Sequence, residues 1–272
     1  MPYLKYFFNF YIYSNLHVSF AAFCLVKVTL STYNVDENNT AIFVFLATLI
    51  SYNFIRYYNL KNINKNLSRW MLANKVPLFI LNFVAFILLI GFTFTLRLES
   101  YLFLSPFVAA TFFYVVPIGF KKTSLRNIAG LKLFLIAVSW ASITVLFPVI
   151  NNELVFTSTL WWLFLERILF LMAVIIPFDI RDVTFDAAAL KTIPQMLGIK
   201  KAKYIGFVLL FLFLGLQFMR MSLLENSFLI ALLVSLISIA FLSGASNKSK
   251  YYTIFWVEGI PIFWFLLVLL LQ

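Results

Sequence analysis

The fold follows from one stretch, "LVFTSTLWWLFLERILFLMAVIIPFDIRDVTFDAAALKTIPQMLG", which runs from Leu154 to Gly198. Its first part, Leu154 to Phe178, is mostly apolar and exceeds the roughly 20 residues that cross the hydrocarbon core of a bilayer. Because backbone groups in lipid must be satisfied internally, and because the run does not alternate, it predicts a transmembrane helix. The helix leads into a cluster of carboxylates: Asp179, Asp182 and Asp186.

Runs of the same kind fill most of the chain. The 272 residues are 63% hydrophobic and only 11% charged, a balance too apolar for one water-soluble core. We therefore expect an all-α, polytopic membrane protein formed by a single domain, residues 1–272. Nine spans are predicted: Tyr13–Leu30, Ala41–Tyr58, Val76–Leu96, Tyr101–Phe120, Ile128–Ile150, Leu154–Phe178, Tyr204–Met219, Ser227–Gly244 and Tyr252–Leu271.

The positions of lysine and arginine predict the orientation of the chain. Basic residues concentrate in the connections after the second, fourth, sixth and eighth spans, whereas the other connections lean acidic. By the positive-inside rule the basic connections are cytoplasmic, which places the N-terminus inside and the C-terminus outside, as an odd number of spans requires. The net charge of +11 is then mostly a matter of topology, so no nucleic-acid partner is expected.

The aspartates after the sixth span are the first indication of chemistry. At spacings of i, i+3 and i+7 they would share one helix face and repel one another. A hard divalent cation relieves such repulsion and keeps coordination positions open for phosphate oxygens, which indicates Mg²⁺ together with a diphosphate. The alternative is an ordinary charged helix end, neutralised by Arg181 and Lys191.

The segment after this span, "DIRDVTFDAAALKTIPQMLG", resembles the second aspartate-rich motif of the UbiA superfamily of intramembrane prenyltransferases. A second segment, "YVVPIGFKKTSLRNIAGLKLFLIAVSWA", Tyr114 to Ala141, is similar to the family's fourth-to-fifth connection. The resemblance covers essentially the whole chain and implies a UbiA-like bundle of nine helices with its site facing the cytoplasm. In the first segment, the interval before the threonine is one residue short and a usual glycine is absent. The positions that match in order are Asp179, Asp182, Asp186, Lys191, Thr192, Ile193, Pro194 and Gly198.

The resemblance also implies an activity. Members of the superfamily transfer an isoprenoid chain from its diphosphate to a lipid-soluble acceptor within the membrane, which we expect here to be the inner (cytoplasmic) membrane of a bacterium. On this expectation one Mg²⁺ is held by Asp179, Asp182 and Asp186, which are both the metal-binding and the catalytic residues. The residues expected to bind the diphosphate are Asn53, Arg56, Lys61, Lys121, Lys122 and Lys191.

The family's first aspartate-rich motif is missing from this chain. Family members end the second span in an Asn that is followed by aspartates one, four and eight positions on. The corresponding stretch, "SYNFIRYYNLKNINKN" at residues 51–66, contains Asn53 but no acid. The three aspartate positions are occupied by Phe54, Tyr57 and Lys61.

Two hypotheses follow from this loss. In the first, Arg56 and Lys61 contact the diphosphate directly, and one Mg²⁺ at the remaining aspartates completes the neutralisation, so that catalysis survives. In the second, catalysis is lost and the chain is a UbiA-like lipid-binding protein or a subunit that binds a protein partner in the membrane. A secondary transporter is less favoured, because the two halves show no matching pair of interrupted helices.

Three charged residues lie inside predicted spans, where charge is costly unless it faces a partner or a cavity. Glu166 and Arg167 are in the sixth span, and Glu258 is in the ninth. Arg167 either lines the cavity below the aspartates or forms an interhelical ion pair, for example with Glu258. We expect His17 to be interfacial or packed in the bundle, and Cys24 to be a small buried or lipid-facing residue.

Overall fold

The computed structural model describes residues 2–60, 65–116, 132–184, 190–220, 226–246 and 251–271. All regular secondary structure in these ranges is helical, which confirms the predicted all-α class. The order along the chain is α1 (Pro2–Tyr13), α2 (Leu16–Thr32), α3 (Asn39–Tyr58), α4 (Lys65–Ala73), α5 (Lys75–Thr93), α6 (Leu98–Val115), α7 (Lys132–Ala141), a first π turn (Ser142–Leu146), α8 (Phe147–Asn151), α9 (Ser158–Asp182), α10 (Ile193–Met219), α11 (Ser227–Gly244), a second π turn (Tyr252–Val257) and α12 (Ile260–Leu271).

The described helices are compatible with an integral membrane protein. By length and composition, six helical segments of the described ranges are able to cross a membrane, and α1 with α2, bent by 57°, forms a seventh if counted as one span. The six are α3, α5, α7 through α8, α10, α11, and the second π turn with α12. α5 exposes Phe79, Ile80 and Phe83, as a lipid-facing helix does. The count of nine spans and the orientation remain predictions.

α9 lies at the centre of the helix packing. It contacts α7, α10 and α11 along its length. Its buried Phe170 meets Phe213 of α10 and Trp264 of α12, with ring centroids 5.8 and 4.9 Å away. Aromatic pairs of this kind contribute about 0.5–1.5 kcal/mol beyond the burial of their area. The polar residues of α9 are therefore positioned by a packed core rather than by loops.

The two π turns bring polar groups into otherwise apolar spans. A π turn widens the helix, and its carbonyls become open to side-chain donors. In the first, the carbonyl of Thr144 accepts a hydrogen bond of 2.7 Å from the Thr29 hydroxyl. In the second, the carbonyl of Phe255 accepts one of 2.9 Å from Nε2 of His17. His17 is thus packed in the bundle and Cys24 is buried, both within what the sequence predicted.

The break between α1 and α2 is a buried polar junction. Ser14 and Asn15 connect the two helices, and neither is exposed to solvent. Asn15 has a φ of 67°, in the left-handed region that asparagine tolerates better than most residues. Because the backbone groups of such a break are shielded from water, they need partners from elsewhere in the chain.

Candidate functional site

Charged side chains from four parts of the chain meet at the carboxyl end of α9. Three belong to α9 itself, one begins α7, one lies near the end of α3, and one lies in the turn before α12. Contacts among them, given below, bring the set together. We call this set the α9 mouth; it comprises Asp179, Arg181, Asp182, Lys132, Arg56 and Glu258.

Asp179 is held inside the bundle by a lysine. Its side chain is 1% exposed, and Nζ of Lys132 lies 2.9 Å from its Oδ1. Lys132 is the first residue of α7, with 13% of its side chain exposed. A carboxylate buried this deeply requires a cation and hydrogen bonds to offset the loss of water. In the described arrangement α7 supplies that cation.

Asp182 is paired with its neighbour in the sequence. Both of its oxygens accept hydrogen bonds from Arg181, from Nε at 2.7 Å and from Nη2 at 2.6 Å. The same guanidinium donates from Nη1 to the hydroxyl of Thr253 in the second π turn, at 2.7 Å. It also lies over the ring of Phe178, 5.4 Å from the centroid. Asp182 therefore fits the alternative of an ordinary charged helix end, because Arg181 neutralises its carboxylate.

Several residues predicted for the site fall where the structure is not described. Asp186 belongs to the gap between residues 184 and 190, and α9 ends before it, at Asp182. Lys61, Lys121 and Lys122 also lie outside the described residues.

The segment that carries the rest of the motif starts α10. Lys191 is exposed, with a φ of 46°, just before this helix. The backbone N–H of Thr192 donates to Oε1 of Gln195 at 3.0 Å, which is one half of a capping box. Pro194 stands in the first turn, where its missing N–H costs nothing. Gly198 then bends the helix with a φ of 81°, so this stretch has a local structural explanation.

Asn53 and Arg56 close the break between α1 and α2. Asn53 is 7% exposed; its Oδ1 accepts from Nδ2 of Asn15 at 2.8 Å, and its Nδ2 donates to the carbonyl of Ser14 at 3.0 Å. Nη1 of Arg56 donates to the carbonyl of Tyr13 at 2.9 Å. The carbonyls at the end of a helix have no intrahelical donor, and these two side chains supply donors for α1. Asn53 is therefore engaged in the fold, whereas Arg56 also reaches the α9 mouth.

Glu258 lies in electrostatic range of both Arg56 and Arg181. Glu258 and Arg56 are both half-buried. The suggested pair of Glu258 with Arg167 is wrong, because Arg167 lies fourteen residues before Arg181, which is about 21 Å along α9. Arg167 instead donates to Leu25 and to hydroxyls of neighbouring helices.

The described part of the α9 mouth is electrically balanced. Three cations, Lys132, Arg181 and Arg56, face three carboxylates, Asp179, Asp182 and Glu258. Within the described ranges no group of three or more His, Cys, Asp or Glu side chains is arranged to hold a metal ion. An ion of Mg²⁺ would have to displace Lys132 from Asp179 or Arg181 from Asp182. Asp186, the third predicted ligand, lies outside the described residues, so the Mg²⁺ site stays a prediction.

Two residues of the α9 mouth were not assigned from the sequence. Lys132 was counted only among the basic residues that fix the topology, and Glu258 only as a buried charge. The sequence feature that could have assigned Lys132 to the site is its position at the start of an apolar span, where a lysine needs an acidic partner. The partner itself is 47 positions away in the sequence, and only the packing of α7 on α9 identifies it.

Taken together, the described residues define an all-helical protein with candidate membrane-spanning helices and a charged cluster at one end of its central helix. No match was found when the chain was compared with known protein families, with curated proteins and with solved structures.

Proposed function

We propose that this chain is a UbiA-like membrane protein that binds the diphosphate of an isoprenoid at the α9 mouth and transfers the isoprenoid to a lipid-soluble acceptor. The proposal includes the nine-span bundle, a cytoplasmic N-terminus and a bacterial inner membrane. One observation supports it: two arginines from different helices, Arg56 and Arg181, are both in electrostatic range of Glu258 at the aspartate end of α9. The side chains of Leu133, Ile176 and Ile180 form an apolar core beside this end of α9.

The chemistry proposed for the site is ionisation of an allylic diphosphate. Guanidinium groups form bidentate hydrogen bonds to phosphate oxygens, and in this proposal Arg56 and Arg181 do so, Arg181 by exchanging the Asp182 carboxylate for the diphosphate. When the carbon–oxygen bond breaks, its electron pair leaves with the diphosphate, and an allylic carbocation remains among apolar side chains. An electron-rich ring carbon or a hydroxyl oxygen of the acceptor then bonds to the cation and releases a proton.

The charge balance of the α9 mouth sets a condition on this chemistry. Its described cations are matched one for one by carboxylates, so they supply no net positive charge to a departing diphosphate. The additional charge has to come from Mg²⁺ or from lysines outside the described residues, of which Lys61, Lys121 and Lys122 are the candidates. The dependence of binding on divalent cations therefore separates the two sources.

A second candidate function is favoured by the ion pairs themselves. Asp179 is paired with Lys132, and Asp182 with Arg181, which are the arrangements expected if the acids stabilise the fold. In this case the protein is a non-catalytic UbiA-like lipid-binding protein or a membrane-complex subunit with a protein partner.

The test is binding of a labelled prenyl diphosphate to the purified protein in nanodiscs, with Mg²⁺ or with EDTA. The first function predicts saturable binding that Arg181→Gln weakens by about tenfold or more, which is about 1.4 kcal/mol. The matched control is Lys201→Gln, which removes one exposed positive charge from α10 and should leave binding unchanged. Absence of binding under both metal conditions would exclude the transferase and favour the second function.

A transfer assay then separates a catalyst from a binding protein. The labelled diphosphate is incubated with the nanodiscs and with aromatic or alcohol acceptors, and release of inorganic diphosphate is followed. Release that requires an acceptor supports transfer. Tight binding without release under any acceptor would identify a non-catalytic isoprenoid-diphosphate carrier.

A further inference from the structure

We propose that a second polar cluster, enclosed between α2, α9, α10, α11 and α12, binds one small monovalent anion such as chloride. The cluster surrounds a cavity of about 30 Å³ that is lined by Glu166, Arg167, Gln217 and Arg220, with Trp264 on its apolar side. Its Arg167 lies fourteen residues before Arg181 of the α9 mouth, and the proposal does not depend on the function proposed above.

Glu166 and Arg220 of this cluster form an ion pair and neutralise each other's charge. Glu166 is 2% exposed, and Arg220 contacts both of its oxygens, from Nε at 3.1 Å and from Nη2 at 2.9 Å. Gln217 adds a hydrogen bond of 2.8 Å to the same carboxylate. Within the cluster this one carboxylate thus faces two guanidinium groups, those of Arg220 and Arg167.

The second arginine has only uncharged partners. Arg167 is 2% exposed; its Nη1 donates to the carbonyl of Leu25 at 3.0 Å and its Nη2 to the hydroxyl of Thr29 at 3.2 Å. Its guanidinium carbon lies 5.0 Å from the centroid of the Trp264 ring. None of the ion pairs seen in the described ranges includes Arg167.

Among the described residues the cluster therefore carries one positive charge in excess in the interior. A buried charge without a counter-charge costs several kcal/mol. The carboxyl end of α10, which reaches the cluster, contributes a negative dipole charge of roughly half a unit, so it offsets only part of the excess. Among the described hydrogen bonds, none uses Nε of Arg167 or Nη1 of Arg220, so donors remain for a further acceptor.

The volume of the cavity selects the class of ligand. A space of about 30 Å³ holds two or three water molecules, because one water needs about 10–15 Å³ by the same measure. A halide is slightly larger than a water and accepts several N–H donors at once. Water satisfies the donors but leaves the excess charge. A halide satisfies the donors and also neutralises the charge.

The test is the thermal stability of the purified protein as chloride replaces gluconate at constant ionic strength. An anion that binds only the native state raises the melting temperature with a saturable dependence on its concentration. Arg167→Gln removes the excess charge and keeps hydrogen-bonding capacity, so we expect at least about tenfold weaker apparent affinity for chloride, or about 1.4 kcal/mol. The exposed-charge control Lys201→Gln should respond to chloride as the parent does.

A second measurement needs no variant. Crystals of the parent grown or soaked in bromide should show an anomalous peak in the cavity, between Arg167 and Arg220. A melting temperature indifferent to chloride, or a cavity without bromide, would overturn the proposal. Glu225 follows Arg220 closely in the sequence and lies outside the described residues; chloride dependence that appears only in Glu225→Gln would identify this carboxylate as the counter-charge and would equally overturn it.

Discussion

Replacement of Lys132 by methionine removes the ammonium that lies 2.9 Å from the Asp179 carboxylate and keeps most of the aliphatic side chain. Removal of one partner of a buried ion pair costs about 3–5 kcal/mol, because the remaining charge stays out of water. Asp179 is 1% exposed and Lys132 is 13% exposed, so the pair is partly screened from the lysine side. We therefore expect Lys132→Met to lower the free energy of unfolding by about 3 kcal/mol.

The reverse substitution should be milder. In Asp179→Leu the ammonium of Lys132 loses this carboxylate, and its flexible stem lets it move toward water or lipid headgroups. The double variant replaces the pair by two apolar side chains of similar size, an exchange that is often neutral or stabilising. The predicted order of stability is thus parent and double variant highest, Asp179→Leu next, and Lys132→Met lowest.

Equilibrium unfolding of all four proteins in a mixed detergent system gives the coupling energy of the pair. The control is Lys201→Met, which changes an exposed lysine on α10 in the same way. Additive losses in the double variant, or a loss in Lys132→Met no larger than in the control, would refute the assignment of a buried ion pair. If the double variant is stable but no longer binds a prenyl diphosphate, the pair also belongs to the binding site.

Three further predictions concern single positions. Asn53→Leu removes two hydrogen bonds from the buried break between α1 and α2, so it should cost about 1–3 kcal/mol in the same unfolding assay. Gly198→Ala places a Cβ on a residue with φ 81° and ψ 160°, which should lower the free energy of unfolding by about 1–3 kcal/mol. Gly215→Ala, within α10 and with no atom near the added Cβ, should instead raise it by about 0.5–1 kcal/mol. Glu166→Gln raises the excess positive charge beside Arg220. The melting temperature of this variant should therefore be lower than the parent's in gluconate and should rise more steeply with chloride concentration. Equal slopes for the variant and the parent would contradict the proposed role of the excess charge.

The helices were predictable because the bilayer imposes a length on each apolar run. Predicted spans such as Ala41–Tyr58, Ser227–Gly244 and Tyr252–Leu271 agree closely with α3, α11 and the second π turn with α12. The bend between α1 and α2 was not predicted, because Ser14 and Asn15 are only a short polar interruption in an aromatic run. Their burial becomes clear only when Asn53 of another helix is found to hold them.

The candidate site was predictable in position but not in pairing. The aspartates at the end of α9 stand out in a chain with few acids, and periodicity alone places two of them on the last turns of a helix. Their partners depend on which helices pack together. Lys132 is distant in sequence from Asp179, and Arg181 is adjacent to Asp182, yet both form ion pairs. The role of Arg56 likewise depends on where α1 ends, which lies 43 positions earlier.

Threonines of the two π turns supply acceptors to two arginines of α9, of which Arg167 is buried and Arg181 is half-buried. Arg167 and Arg181 are fourteen residues apart on α9, which at 100° per residue places them within roughly 40° of the same face. Arg167 reaches the hydroxyl of Thr144 in the first π turn, and Arg181 reaches that of Thr253 in the second. A carbonyl of α2, that of Leu25, accepts a further hydrogen bond from Arg167. These threonine hydroxyls and this carbonyl supply oxygen without a further charge, so among the described residues the charge of Arg167 is left to be balanced from within the cavity beside it.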